Sequence, residues 1–167
     1  MKVLHGIRKV IDLVLSSACA LIFAAMVCIG TYQIVTRFVF RSPSTVSEEL
    51  LTYSFTWMAL LATAYVFGKR DHMRMGFMAD KLGKTGQKIL SVISEILIMV
   101  LAGSVMIYGG ITIMDLTMTQ STASLGVSMG VIYTIVPLSG VLIVIYSIMN
   151  IIDLVTGYEK EQKEDKK

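Results

Sequence analysis

Four long stretches of this chain carry no charged side chain, at 13–36, 50–68, 96–114 and 116–152. A helix rises about 1.5 Å per residue, so about 20 apolar residues cross a bilayer core of about 30 Å. The first three stretches are each one crossing. The fourth is too long for one and too short for two joined by a turn. Its first part is rich in Thr117, Thr119, Gln120, Ser121, Thr122, Ser124 and Gly126, which reads as a loop. The pattern predicts an all-α membrane protein with four transmembrane helices, at about 11–36, 48–68, 90–114 and 131–153, in one domain over 1–158.

Composition agrees with the pattern. The apolar fraction is 54% and only 16% of residues are charged, against the roughly 25% of an ordinary soluble domain. The mild excess of +3 does not suggest nucleic acid as a partner. Where the cations fall says more. The N-terminal segment, the second loop and the tail hold thirteen of the fifteen Lys and Arg. Cations are retained on the cytoplasmic side, so both termini are expected inside and the loops at 37–49 and 115–130 outside. The first stretch is too long for a cleaved signal core, and three more spans follow it.

The second loop is too polar to span. Met75, Met78, Ala79 and Leu82 share a helical face beside Arg74 and Lys81, which predicts a short amphipathic helix in the cytoplasmic interface. The tail at 159–167 is a mixed-charge, solvated end. Cys19 and Cys28 lie nine positions apart in the first helix, on nearly opposite faces, and read as packing residues. No nucleotide loop, metal cluster or nucleophile with a base stands out, and no cofactor is expected in this chain.

The richest segment joins the first external loop to the second helix. Pro43 disfavours helix at the residue before it. Thr45 with Glu48 fits a capping box, with Ser47 as an alternative cap. Arg37 and Arg41 share a face and are placed to snorkel or to pair with Glu48 and Glu49. Inside the second helix Trp57 lies near mid-membrane, beside a stripe of Thr52, Thr56, Ala59 and Thr63 that suits close helix packing. This helix reads as buried against protein, either its own or another subunit's. Gly126 and Gly130 suggest a small-xxx-small step into the fourth helix. Asp12 follows Arg8 by four residues, a simple intrahelical pair. Glu95, about two turns into the third span, is a candidate intramembrane functional group, and His72 and Arg74 are candidates in the second loop.

The order Arg37-Phe-Val-Phe, Pro43, Ser47-Glu48-Glu49-Leu50, Phe55-Thr-Trp57 and Lys69-Arg70-Asp-His72-Met-Arg74 resembles the small membrane subunit of tripartite ATP-independent periplasmic (TRAP) transporters. Gln120-Ser-Thr-Ala-Ser-Leu125, Tyr133 and Pro137-Leu-Ser-Gly140 fit the last part of the same family. Val46, Gly76 and Ser128 depart from its usual residues. The resemblance implies a chain of the bacterial inner membrane that pairs with a large multi-span subunit. A periplasmic binding protein would deliver an organic acid, such as a C4-dicarboxylate or sialic acid, and a sodium gradient would drive uptake. It also implies that the substrate and sodium sites lie in the large subunit, with this chain as scaffold and its external loops as candidates for docking the binding protein. Arg37, Arg41, Glu48, Glu49, Thr52, Trp57, Ala59, Thr63, Gln120 and Ser121 are the expected partner-facing residues. A self-assembling four-helix exporter with Glu95 in a shared cavity, and a membrane-embedded enzyme, are the alternatives.

Overall fold

The computed structural model describes residues 2–69 and 84–156. The predicted interfacial helix, with Arg74 and His72, and the tail at 159–167 lie outside those residues. Helix α1 runs Lys2–Phe38 and α2 runs Thr45–Lys69. The third span is composite: α3 (Lys84–Leu101) passes into a π-helical segment (Ala102–Gly109) and on into α4 (Gly110–Thr117). The fourth is split into α5 (Met129–Tyr133) and α6 (Ile135–Thr156). Four spans are long and apolar enough to cross a membrane, as the hydropathy pattern predicts.

The main interfaces join α1 to α2, α2 to α6, and α6 to α3 and the π segment. The spans therefore stand in the order first, second, fourth, third. The fourth is the central one: 44% of its apolar window is buried within the chain, against 6–11% for the others. Its sequence explains the position. Ser139, Gly140 and Ser147 let neighbours approach closely. A Cβ at Gly140 would meet Met106 at 2.8 Å, and one at Gly110 would meet Pro137 at 2.9 Å. The core gathers Leu15, Leu61, Ala64, Ala102, Ile135, Ile143 and Tyr146 from all four spans.

Local chemistry sets the breaks. Proline has no N–H for the preceding turn, and its ring crowds the carbonyl four residues back. Pro137 therefore disrupts the ladder near Tyr133, and the fourth span breaks at Thr134. At the start of α2 the capping differs from the expectation. Helix begins at Thr45, two residues after Pro43, and Ser44 is the cap rather than Thr45 or Ser47. The Ser47 N–H and hydroxyl both donate to Ser44 Oγ, at 3.4 and 3.0 Å. Between α1 and α2 the chain turns through Arg41, which takes a left-handed conformation (φ 50°).

Candidate functional site

Two polar clusters tie the spans together, one at each end. At the end that carries the N-terminus, Arg8 does not pair with Asp12, as the spacing suggested. Its guanidinium reaches the Asp153 carboxylate at 3.1 Å and the Gly68 carbonyl oxygen. It thereby joins α1 to the ends of α2 and α6, where unpaired helix carbonyls attract a cation. Asp12, freed from Arg8, accepts the Tyr146 hydroxyl. The fully buried Asn150 donates to Glu95 Oε1 at 3.0 Å and to the Phe67 carbonyl oxygen at 3.4 Å. Glu95, the candidate intramembrane group, is thus engaged by a neighbouring span.

Asn150, Tyr146 and Asp153 carry the fourth span's share of this network and escaped the sequence reading as site residues. Tyr146, Asn150 and Asp153 fall at i, i+4 and i+7, one helical face, and Asn150 is the chain's single asparagine. A buried amide inside the last turns of an apolar span is a signal in itself.

At the opposite end the carboxylate of Glu49 captures the loop between the third and fourth spans. It accepts the N–H groups of Ala123 (3.2 Å), Ser124 (2.8 Å) and Leu125 (2.9 Å). The Tyr53 hydroxyl adds a further bond to Oε1 at 2.8 Å. Three convergent backbone donors on one ionised group form a strong, directional contact. The loop is itself a tight turn: Thr122 N–H donates to the Val127 carbonyl at 2.8 Å, and Gly126 takes φ +66°. Gly126 therefore sits in the turn and not on a helix face, and only Gly130 makes a close helix contact. Gln120 and Ser121 lie exposed on this turn, Ser121 bridged to Ser128.

Of the two arrangements open to Arg37 and Arg41, pairing with Glu48 and Glu49 does not form among the described residues, and Glu49 points to the loop between the third and fourth spans instead. Arg37, Arg41 and Glu48 are all exposed at this end. Trp57 packs within this chain: its indole N–H donates to the Ile132 carbonyl at 3.1 Å, beside the break at Thr134. Thr52 and Thr63 face outward, with Thr56 and Ala59 half-buried. Their hydroxyls bond carbonyls of their own helix: Thr52 to Glu48, Thr56 to Thr52 and Thr63 to Ala59. The stripe is small, and its hydroxyl donors are satisfied before any neighbour arrives. Among the described residues no three His, Cys, Asp or Glu gather as metal ligands.

Residues 26–157 match the family model described as "Tripartite ATP-independent periplasmic transporters, DctQ component". The chain is similar to the sialic acid TRAP transporter small permease protein SiaQ of Vibrio cholerae, at 30% identity over 64% of this chain and 61% of that protein. It is also similar to two putative TRAP transporter small permease proteins of Haemophilus influenzae. One is 26% identical over 83% of each chain, the other 25% identical over 81% of each.

Proposed function

Since this chain belongs to the DctQ-component family of tripartite ATP-independent periplasmic transporters, as a small permease subunit of the inner membrane, we propose that it is the scaffold of a sodium-driven organic-acid importer. In this reading a large multi-span subunit carries the substrate and sodium sites. A periplasmic binding protein delivers the solute to the outer rim, and both termini face the cytoplasm. The substrate class is a carboxylate-bearing solute. Sialic acid is one candidate, since the Vibrio cholerae relative is a sialic acid transporter subunit.

One observation carries the scaffold role. The Thr52, Thr56, Ala59 and Thr63 stripe of α2 is small, outward or half-exposed, and already satisfied in its hydroxyl bonds. Such a face lets another helix approach closely with no polar group stranded in hydrocarbon. A solute path needs polar groups open to the solute, whereas Arg8, Asp12, Tyr146, Asn150 and Asp153 bond one another or neighbouring backbone, and Asn150 engages Glu95. That use of Glu95 within one chain also favours the scaffold over a self-assembling exporter.

Reconstitution tests this. The purified chain is placed in liposomes with and without the large membrane subunit, with the binding protein, labelled solute and a sodium gradient. Uptake is expected only when both membrane subunits are present. Sodium-driven uptake by this chain without the large subunit would overturn the scaffold role.

A further inference from the structure

The outer ends of the third and fourth spans make a unit of their own. Gly130 of α5 sits so close to α4 that a Cβ would lie 2.7 Å from the Met114 carbonyl oxygen. The Ser128 hydroxyl donates to the Met118 carbonyl at 2.7 Å, and Met129 N–H donates to the Gln120 carbonyl at 2.8 Å. These bonds hold α4, the turn and α5 as one hairpin, whatever lies outside it.

Both chain segments leaving the hairpin are irregular at the same height. On one side the π segment ends at Gly109; on the other the helix breaks at Thr134. Gly110 lies against Pro137 between them. π turns and proline breaks interrupt the regular helical ladder and are where helices bend.

Among the described residues, the hairpin's side-chain bonds to other elements come from α2. They are Glu49 to three loop N–H groups, Tyr53 to the Met129 sulfur at 3.6 Å, and Trp57 to the Ile132 carbonyl. Beneath the hairpin is an apolar cleft of about 300 Å³. Leu125, Val127 and Ile132 form its hairpin wall, and Ile22 of α1 and Trp57 of α2 lie opposite. The hairpin therefore has internal ties, a helix irregularity at the base of each arm, polar attachment to α2 and an apolar cleft beneath it.

We infer that the outer hairpin is a strap. It swings as one body about a hinge line through Gly109, Gly110 and Thr134, opening and closing the cleft. Glu49 and Trp57 are the two latches that hold it in the position seen. The latched state is favoured by charge-assisted bonds that the released state gives up to water. Hinged closure over a ligand or partner site commonly works from a few such joint residues.

The test uses the full chain with its large membrane subunit in nanodiscs. Spin labels are placed at Ile22→Cys and Val127→Cys in a Cys19→Ser, Cys28→Ser background. Glu49→Gln keeps the side-chain shape but replaces one accepting oxygen with an NH2 group. Trp57→Phe keeps the ring and removes the N–H. The parent is expected to give one narrow distance. The double variant is expected to add a second distance population, with amide exchange over residues 110–133 at least tenfold faster and exchange in α6 unchanged. Parent-like distances and exchange in the double variant would overturn the strap. So would acceleration spreading equally through α6, which would mean general loosening. If the double variant fails to insert, the same readouts on Trp57→Phe alone decide.

Discussion

Asn150 donates its side-chain amide to Glu95 Oε1 at 3.0 Å across the interface of the third and fourth spans. The amide is fully buried, and the same nitrogen reaches the Phe67 carbonyl of α2, so one side chain links three spans. Hydrogen bonds to a charged group contribute more than neutral ones, and low surrounding polarity sharpens the loss when one is removed.

Asn150→Leu is expected to lower stability by about 1.5–3 kcal/mol, the range for a lost hydrogen bond to a charged group. Glu95→Gln keeps an oxygen facing the amide and should cost under about 1 kcal/mol. Unfolding of the purified chain in mixed micelles, followed by circular dichroism, measures both. Equal losses in the two variants would show that the contact is not the stabilising one.

Gly68 and Gly103 should respond oppositely to alanine. A Cβ at Gly68 would lie 2.5 Å from the Tyr146 ring, whereas one at Gly103 would meet nothing within 4 Å. The Tyr146 ring is buried and tied through its hydroxyl to Asp12, so it cannot give way easily. Gly68→Ala is expected to cost about 1–3 kcal/mol through overpacking. Gly103→Ala should be neutral or slightly stabilising, by up to about 1 kcal/mol. Thermal unfolding in detergent distinguishes them.

Ala59→Trp should separate this chain from the large membrane subunit while leaving it inserted. Ala59 is half-buried in the small stripe of α2, and an indole there would project from a face suited to close approach. Co-purification is expected to fall at least tenfold, with membrane-fraction levels unchanged. Undiminished co-purification would move the interface elsewhere.

Orientation is open to direct labelling. Single cysteines at Lys81 and Lys163 should be shielded from impermeant reagent in spheroplasts, and those at Ser44 and Ser121 should react. The distribution of Lys and Arg motivates this. Labelling of position 81 from outside would reverse the assignment.

The four spans were legible because charge-free length is a physical requirement of the bilayer that sequence displays directly. Glu49 was singled out for its charge at a helix start, but its destination was not readable. Its partners are backbone N–H groups of Ala123, Ser124 and Leu125, which no residue type announces. The Arg8 and Asp12 pairing failed for a related reason. Spacing of four allows a local bond, but Asp153 and Tyr146 offered partners across the helix interface that only packing could reveal. Trp57 was expected among the partner-facing residues, but its indole N–H bonds the Ile132 carbonyl of its own chain, a partner that depends on the break Pro137 introduces. The π segment left no mark in composition or periodicity, since Ala102–Gly109 is ordinary apolar sequence.

The length of the first span gives bilayer thickness a hold on this molecule. The apolar helix over Gly6–Phe38 has 33 residues, which at about 1.5 Å each is roughly 50 Å. A hydrocarbon core of about 30 Å cannot contain it upright, so it leans or its ends enter the headgroup layers. Its N-terminal end is pinned by Arg8 to α2 and the fourth span and by Asp12 to Tyr146. Mismatch would therefore be taken up at the opposite end, which carries Arg37 and the exposed Phe38 and Phe40. A thinner membrane lowers that end like a lever about its N-terminal fulcrum, and a thicker one raises it.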